Sequence, residues 1–194
     1  MAPWDYPDFD EHEGVHFFRD AASGLSAIIA IHSTKLGAAA GGCRYWSYAR
    51  SDEAITDALR LSRGMSYKNA MAGLPLGGGK GVVLASKPGE AISQAQLEAF
   101  GRAVESLGGR YVTAEDVGMS EASMKTIATM TKHVSGLPVA AGGAGGDPGP
   151  YTASGVYQGV CAAAKRGSSA TARRRHATAS AGRPARRWVT PRFE

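Results

Sequence analysis

The sequence has no apolar run long enough for a membrane-spanning helix. Such a helix needs about 18 or more consecutive apolar residues, and no stretch of this 194-residue chain approaches that length. The first residues are acidic, whereas a signal peptide starts with basic residues and an apolar run; the acids are Asp5, Asp8, Asp10, Glu11 and Glu13. We therefore expect a globular protein of the cytoplasm without a membrane partner.

Cysteine is also scarce. Cys43 and Cys161 are the only two cysteines, so the chain has neither a disulfide framework nor the cysteine spacing of a zinc site. This usage is typical of a reducing compartment. We expect both cysteines to be small, buried apolar residues, and we expect no metal site.

Large aliphatic residues are scarce at the end of the chain, where positive charge is concentrated. Residues 166–194 hold eight of the 22 basic residues and one of the 17 acidic residues, which leaves 14 basic and 16 acidic residues, a net charge of −2, in residues 1–165. The last segment also lacks Ile, Leu and Met. Because it cannot bury enough apolar surface to offset its chain entropy, we predict that residues 166–194 form a disordered tail.

The rest of the chain alternates between strand and helix patterns. Val15, Phe17 and the run over 25–31 predict a hairpin with a tight turn at 21–24. A helix is predicted to begin at Ser51, its N-cap, and its buried face brings Lys68 onto or next to that face near the C-terminal end.

Later segments continue the same alternation. Residues 74–81 are predicted to form a loop because their glycines disfavour regular structure, and residues 142–150 a hinge. Short strands are predicted over 82–84 and 111–114, and helices over 93–107, from the N-cap Ser120 onward, and over 152–165. The alternation indicates an α/β fold built of sheet and helix layers.

Three charged residues are candidates for chemistry. Lys80 follows three glycines that leave its side chain unshielded, and partial burial of an amine favours the neutral form that acts as a base. Asp116 ends a predicted strand and can hold a lysine or exchange a proton with it. The residues alone favour less specific roles, namely a surface lysine at Lys80, a helix lysine reaching solvent at Lys68, and a helix cap at Asp116.

Two nucleotide-binding motifs are missing. The sequence GGGKG lacks the spacer and the Ser or Thr of a phosphate-binding P-loop, and no G-x-G-x-x-G follows a predicted strand. No complete dinucleotide-binding fold is therefore expected.

Four motifs in order resemble a known family. They are GAAAGGCR over 37–44, GMSYKNA over 64–70, GLPLGGGK over 73–80 and TAEDVG over 113–118. Together they closely resemble the leucine, phenylalanine and valine dehydrogenases, with a resemblance that runs from about residue 14 to residue 165. The resemblance implies the N-terminal catalytic and dimerisation domain of that family.

The resemblance also implies a reaction and roles for residues. In the family, a hydride passes from Cα of an amino acid to NAD, and water then releases ammonia and a 2-oxo acid. The lysine matching Lys68 holds the substrate carboxylate with backbone N–H groups at Gly41 and Gly42. The lysine matching Lys80 is the general base that activates water, and the aspartate matching Asp116 supports proton transfer.

Substrate choice and the cofactor contact follow from the same resemblance. Glutamate dehydrogenases are similar but place a lysine where this chain has Ala40, so a glutamate side chain would find no counter-charge. With Ala40 and Ala114 in the pocket, we predict apolar L-amino acids as substrates. Thr152 matches a threonine close to the nicotinamide of NAD.

The chain departs from its family after Lys165, where a Rossmann domain should begin. We expect a substrate-binding and dimerisation domain over 1–145, a hinge and first helix over 146–165, and a tail over 166–194. Our hypothesis for the Arg-rich tail is a reading-frame shift or a truncated gene. The rival hypothesis is a tail that binds nucleic acid through phosphates. We expect the protein to form a homo-oligomer, and we expect this short chain to be inactive as an enzyme. The alternative function is a non-catalytic module for amino-acid binding or dimerisation.

Overall fold

The computed structural model describes residues 2–137 and 148–180, with side chains up to residue 167. The chain forms two compact units, Met1–Asp147 and Pro148–Glu194. Among the described residues, no helix is both long and apolar enough to cross a membrane.

A five-stranded mixed sheet forms the centre of the first unit. Its strands are β1 (Gly14–Asp20), β2 (Leu25–Ser33), β3 (Ala39–Trp46), β4 (Gly77–Leu84) and β5 (Tyr111–Glu115). They lie in the order β1-β2-β4-β3-β5. The β1–β2 and β2–β4 pairs are antiparallel, whereas the β4–β3 and β3–β5 pairs are parallel. The predicted hairpin is confirmed, since β1 and β2 pair from Gly14 with Ile31 to Asp20 with Leu25.

Helices cover both faces of this sheet. The helices are α1 (Ser51–Met71), α2 (Gln94–Glu105) and α3 (Glu121–Ala128). One apolar cluster joins the sheet to α2 and α3 and contains Phe100, Tyr111 and Ile127. A second cluster on the other face joins Ile28 and Val82 to α1. The predicted α/β layer fold is therefore confirmed.

The helix starts follow capping chemistry. The Ser93 hydroxyl accepts from the Gln96 amide at the start of α2, and the Ser120 hydroxyl accepts from the Ser123 amide at the start of α3. These bonds satisfy amides that have no partner inside a helix. At α1 the predicted cap is wrong by one position, since Arg50 is the N-cap and Ser51 is the first helical residue.

The predicted loop over 74–81 is wrong at its second half. Residues from Gly77 onward belong to β4, the central strand, which pairs with β2 and β3. A Cβ at Gly79 would lie 2.7 Å from the Tyr111 ring, and one at Gly78 would lie 2.5 Å from the Ser62 carbonyl oxygen and collide with Ser66. The glycines therefore allow close packing within a strand rather than a loop.

The second unit contains one described helix, α4 (Gly149–Ser180). It includes the predicted helix over 152–165 and continues through 166–180, where the sequence predicts a disordered tail. Ala and Arg have high intrinsic helix propensity, so this composition supports a helix without an apolar face. Residues 142–147 of the predicted hinge and residues 181–194 of the predicted tail lie outside the described residues.

The two cysteines have different surroundings. Cys43 is fully buried in β3, as predicted, and burial raises the pKa of its thiol. Cys161 is only partly buried in α4, so the prediction of a buried apolar residue is wrong there. The other α4 side chains that the structure describes are exposed.

Candidate active site

The central strand β4 delivers Lys80 into the interior. The residue is 5% exposed, and its backbone pairs with Ala30 of β2. Successive side chains of a strand alternate between faces, so Lys80 shares a face with Val82, which packs on the α1 side of the sheet. A lysine ammonium at this depth needs a nearby anion.

That anion is Asp116, which directly follows β5. The Lys80 Nζ donates to Asp116 Oδ2 at 2.7 Å, and the two side chains are 6% and 24% exposed. Burial opposes the charged form of Asp116, but the hydrogen bonds and positive charges of Lys80 and Arg44 outweigh it and lower the pKa of this carboxyl. The structure thus brings the two predicted catalytic residues into direct contact.

Gly41 and Gly42 lie on β3, between β4 and β5, and Gly42 lies against Asp116. Gly42 pairs with Ala114 of β5. A Cβ at Gly42 would lie 2.8 Å from Cβ of Asp116, so a side chain here would displace the carboxylate. The buried Tyr111 hydroxyl donates to the Gly41 carbonyl at 2.7 Å and fixes the backbone.

Ala40 and Lys68 lie near the start of these strands. Ala40 pairs with Gly78. The Asn69 amide donates to the Gly77 carbonyl at 2.6 Å and, more weakly, to the Ala40 carbonyl at 3.4 Å, which ties the end of α1 to β3 and β4. Lys68 precedes Asn69 in the last turn and is exposed, so it lies next to the buried face rather than on it. Among the described residues, no carboxylate forms an ion pair with Lys68.

Thr152 lies in the second unit. It is exposed in the first turn of α4, and its amide donates to the Pro148 carbonyl at 2.9 Å. The other predicted site residues all belong to the first unit.

Sequence reasoning missed three residues that extend the ion pair. The Arg44 Nε donates to Asp116 Oδ2 at 3.0 Å, and Arg44 Nη1 donates to Asp57 Oδ2 at 2.7 Å. The Tyr48 hydroxyl donates to the same Asp57 oxygen at 2.8 Å. Arg44 is the last residue of the GGCR motif, so the motif could have identified it. Asp57 and Tyr48 belong to no motif. These contacts form one continuous set, here called the charge network, which consists of Lys80, Asp116, Arg44, Asp57 and Tyr48.

Comparison with known proteins finds relatives that are amino-acid dehydrogenases. The family model described as "Glu/Leu/Phe/Val dehydrogenase, dimerisation domain" matches residues 12–133. Leucine dehydrogenase of Geobacillus stearothermophilus is 50% identical over 165 residues, which are 85% of this chain and 44% of the relative. Valine dehydrogenase of Streptomyces virginiae is 52% identical over 160 residues, 82% of this chain and 44% of the relative.

A solved structure supports the same relationship. L-tryptophan dehydrogenase of Nostoc punctiforme matches with a TM-score of 0.60 and 45% identity, over 63% of this chain and 36% of that chain. The present chain therefore spans less than half the length of these relatives. With a family model that matches most of its length, the chain belongs to the Glu/Leu/Phe/Val dehydrogenase family and carries the dimerisation domain of that family.

Proposed function

We propose that this chain is the substrate-side part of an NAD-dependent L-amino-acid dehydrogenase that converts apolar amino acids to 2-oxo acids and ammonia. The observation that carries the proposal is the buried contact of Lys80 with Asp116 at 2.7 Å. Burying a lysine and a carboxylate side by side costs desolvation energy that an apolar pair would avoid. Such a pair is therefore a candidate for a functional site.

Lys80 is the general base in this proposal. In its neutral form, Nζ accepts a proton from water, and the resulting hydroxide attacks the iminium carbon of the oxidised substrate. Asp116, in contact with Nζ, orients the amine and balances the ammonium that forms. General bases of this kind accelerate a reaction by about 10²- to 10⁴-fold.

Lys68 and the paired glycines bind the substrate carboxylate. Lys68 is exposed and forms no ion pair with a described carboxylate, so its ammonium is free to bind an external anion. Backbone N–H groups at Gly41 and Gly42 supplement this charge-assisted contact. Ala40 and Ala114 present methyl groups, which offer no counter-charge to an acidic side chain and favour apolar substrates.

The proposed NAD cofactor needs more protein than the described residues supply. A dinucleotide site is built from a strand, a G-x-G-x-x-G turn and a helix, and no such unit occurs among residues 2–137 and 148–180. These residues account for substrate binding and proton transfer, and Thr152 as a neighbour of the nicotinamide stays a prediction.

An assay of NADH production tests the function. We would compare the 194-residue chain with a joined enzyme, in which residues 1–165 precede the C-terminal part of the leucine dehydrogenase of Geobacillus stearothermophilus. We expect the joined enzyme to oxidise leucine, valine or phenylalanine but not glutamate, and the short chain to be inactive. A folded joined enzyme without activity on any of these amino acids would overturn the proposal.

The coding DNA tests the origin of the last segment. We expect a shifted reading frame downstream of codon 165 to encode a glycine-rich dinucleotide-binding motif. Its absence from every frame would refute the frame-shift hypothesis. The rival nucleic-acid-binding tail predicts a salt-sensitive gel shift with a peptide of residues 166–194.

A non-catalytic binding or dimerisation module is the second candidate. It is favoured by the match to a family model described as a dimerisation domain. Sedimentation measurements should detect a homo-oligomer of the 194-residue chain, and calorimetry should detect leucine binding to it. Binding to this chain, together with an inactive but folded joined enzyme, would favour the module over the enzyme.

A further inference from the structure

We propose that Arg44 is a positioning residue, held by Asp57 and Tyr48, that keeps the Asp116 carboxylate in place beside Lys80 whether or not the lysine carries its proton. This inference deepens the proposed function and rests on Lys80 as the base. It assigns a role to the part of the charge network beyond Lys80 and Asp116.

Arg44 is fixed between two carboxylates. Its Nε donates to Asp116 at 3.0 Å and its Nη1 donates to Asp57 at 2.7 Å. Because the guanidinium is planar and rigid, two contacts on different nitrogens determine both its position and its plane. A lysine at this position would be a single point charge and would not bridge two carboxylates in this way.

Tyr48 holds the far end of this bridge. Its hydroxyl donates at 2.8 Å to the same Asp57 oxygen that accepts from Arg44. Burial, followed by the hydrogen bond to Asp57, raises the pKa of Tyr48, so the phenol remains protonated and remains a donor. Asp57 therefore accepts two hydrogen bonds that fix its orientation toward Arg44.

Arg44 and Lys80 share one oxygen of Asp116. Both donate to Oδ2, at 3.0 and 2.7 Å. With Lys80 protonated, two cations and the two carboxylates of Asp116 and Asp57 balance. When Lys80 loses its proton, Asp116 still has the guanidinium as its partner, so no carboxylate in this half-buried place is left without a counter-charge.

This arrangement prepares Lys80 for its step. The water O–H bond breaks, its proton binds the Nζ lone pair, and the hydroxide oxygen bonds to the iminium carbon as the C=N π electrons move to nitrogen. The Lys80 amine gains one proton and one positive charge beside an aspartate that has not moved. A carboxylate that left its place or took up a proton while Lys80 was neutral would no longer orient Nζ.

Titration of Asp116 in the 194-residue chain tests the role of Arg44 without any turnover. Carbon-13 NMR of labelled aspartate side chains would follow its carboxyl carbon as pH changes. Arg44→Met should shift this titration upward by about one pH unit, since a neighbouring guanidinium lowers an aspartate pKa by about that amount or more. Tyr48→Phe, which removes a hold on Asp57 without changing the charge, should shift it in the same direction by less, and Arg44→Lys should partly restore it.

Arg50→Met is the matched control. Arg50 is an exposed arginine that pairs with Asp52 at 2.6 Å, outside the charge network, and its loss should leave the Asp116 titration unchanged. An Asp116 titration that is the same in folded Arg44→Met as in the unsubstituted chain would overturn the inference. If Arg44→Met does not fold, the charge-neutral variant Tyr48→Phe decides, and an unchanged titration in it would equally overturn the inference.

Turnover by the joined enzyme separates positioning from substrate binding. Arg44→Met should lower kcat about tenfold or more with little change in KM for leucine, in keeping with the loss of a group that orients a catalytic residue. A rise in KM alone would overturn the positioning role. If the unsubstituted joined enzyme is inactive, the proposed function fails, whereas the Asp116 titration still decides whether Arg44 holds the carboxylate.

Discussion

Replacing Asp116 should destabilise the first unit far more than replacing Lys80. The Lys80 side chain is 6% exposed and forms its described ion pair with Asp116 alone, whereas Asp116 is 24% exposed and also contacts Arg44. Asp116→Asn leaves a buried ammonium facing a neutral amide. Lys80→Met leaves a carboxylate that keeps its guanidinium partner, with an apolar chain of similar size in place of the lysine.

The two costs can be ranked from these exposures. Removing one partner of a fully buried ion pair costs about 3 to 5 kcal/mol. Because water reaches Asp116, we expect about 2 to 3 kcal/mol for Asp116→Asn after screening. Lys80→Met should cost less than about 1 kcal/mol, since apolar replacement of a buried charge is often close to neutral. The double variant should recover most of the stability that Asp116→Asn loses.

Urea unfolding of the 194-residue chain, followed by circular dichroism, measures these free energies. The matched control is the surface pair of Lys125 with Glu121, at 3.3 Å with side chains 58% and 39% exposed. Lys125→Met should cost less than about 0.5 kcal/mol. Equal losses for Asp116→Asn and Lys80→Met, or a larger loss for Lys80→Met, would refute the assignment of Asp116 as the group that supports the buried lysine.

Two further predictions concern packing and pH. Gly78→Ala should lower the free energy of unfolding by about 3 kcal/mol or more, because its Cβ would collide with Ser66. A Cβ at Gly64 would have nothing within 4 Å, so Gly64→Ala should stabilise α1 by up to about 1 kcal/mol. Similar urea midpoints for the two variants would contradict the packing explanation. Burial lowers the pKa of His12 below its ordinary 6.5, so the unfolded chain takes up the proton first and stability should fall as pH drops below that value. His12→Gln should flatten this fall in the thermal midpoint, and an unchanged slope in His12→Gln would refute the prediction.

Much of the fold could be predicted because its signals are local. The caps Ser93 and Ser120 and the apolar spacing of α2 and α3 depend on residues within one or two turns. The hairpin follows from β-branched runs on either side of a short break. These elements therefore appear in the structure close to their predicted bounds.

The strands β3 and the first half of β4 could not be predicted in the same way. Alanine and glycine carry little strand propensity, and Gly77 to Gly81 read locally as a loop. They form a strand because neighbouring segments approach to distances that only glycine permits, as Gly79 does against Tyr111. That constraint arises from tertiary packing and is invisible in a local window.

The candidate site was likewise predictable only in part. Lys80 and Asp116 were identified from motifs, and the structure shows them in contact. Arg44 contacts Asp116 across 72 positions of sequence and Asp57 across 13. No periodicity or spacing rule links such positions, so the charge network beyond the first pair required the folded chain.

The central claim is that Lys80 is the base of an amino-acid dehydrogenase. The most direct measurement is kcat of the joined enzyme with saturating leucine, before and after Lys80→Gln, with Lys125→Gln as the control at an exposed lysine. We predict that Lys80→Gln lowers kcat at least about a hundredfold and that Lys125→Gln leaves it unchanged. Retention of kcat in Lys80→Gln would contradict the claim.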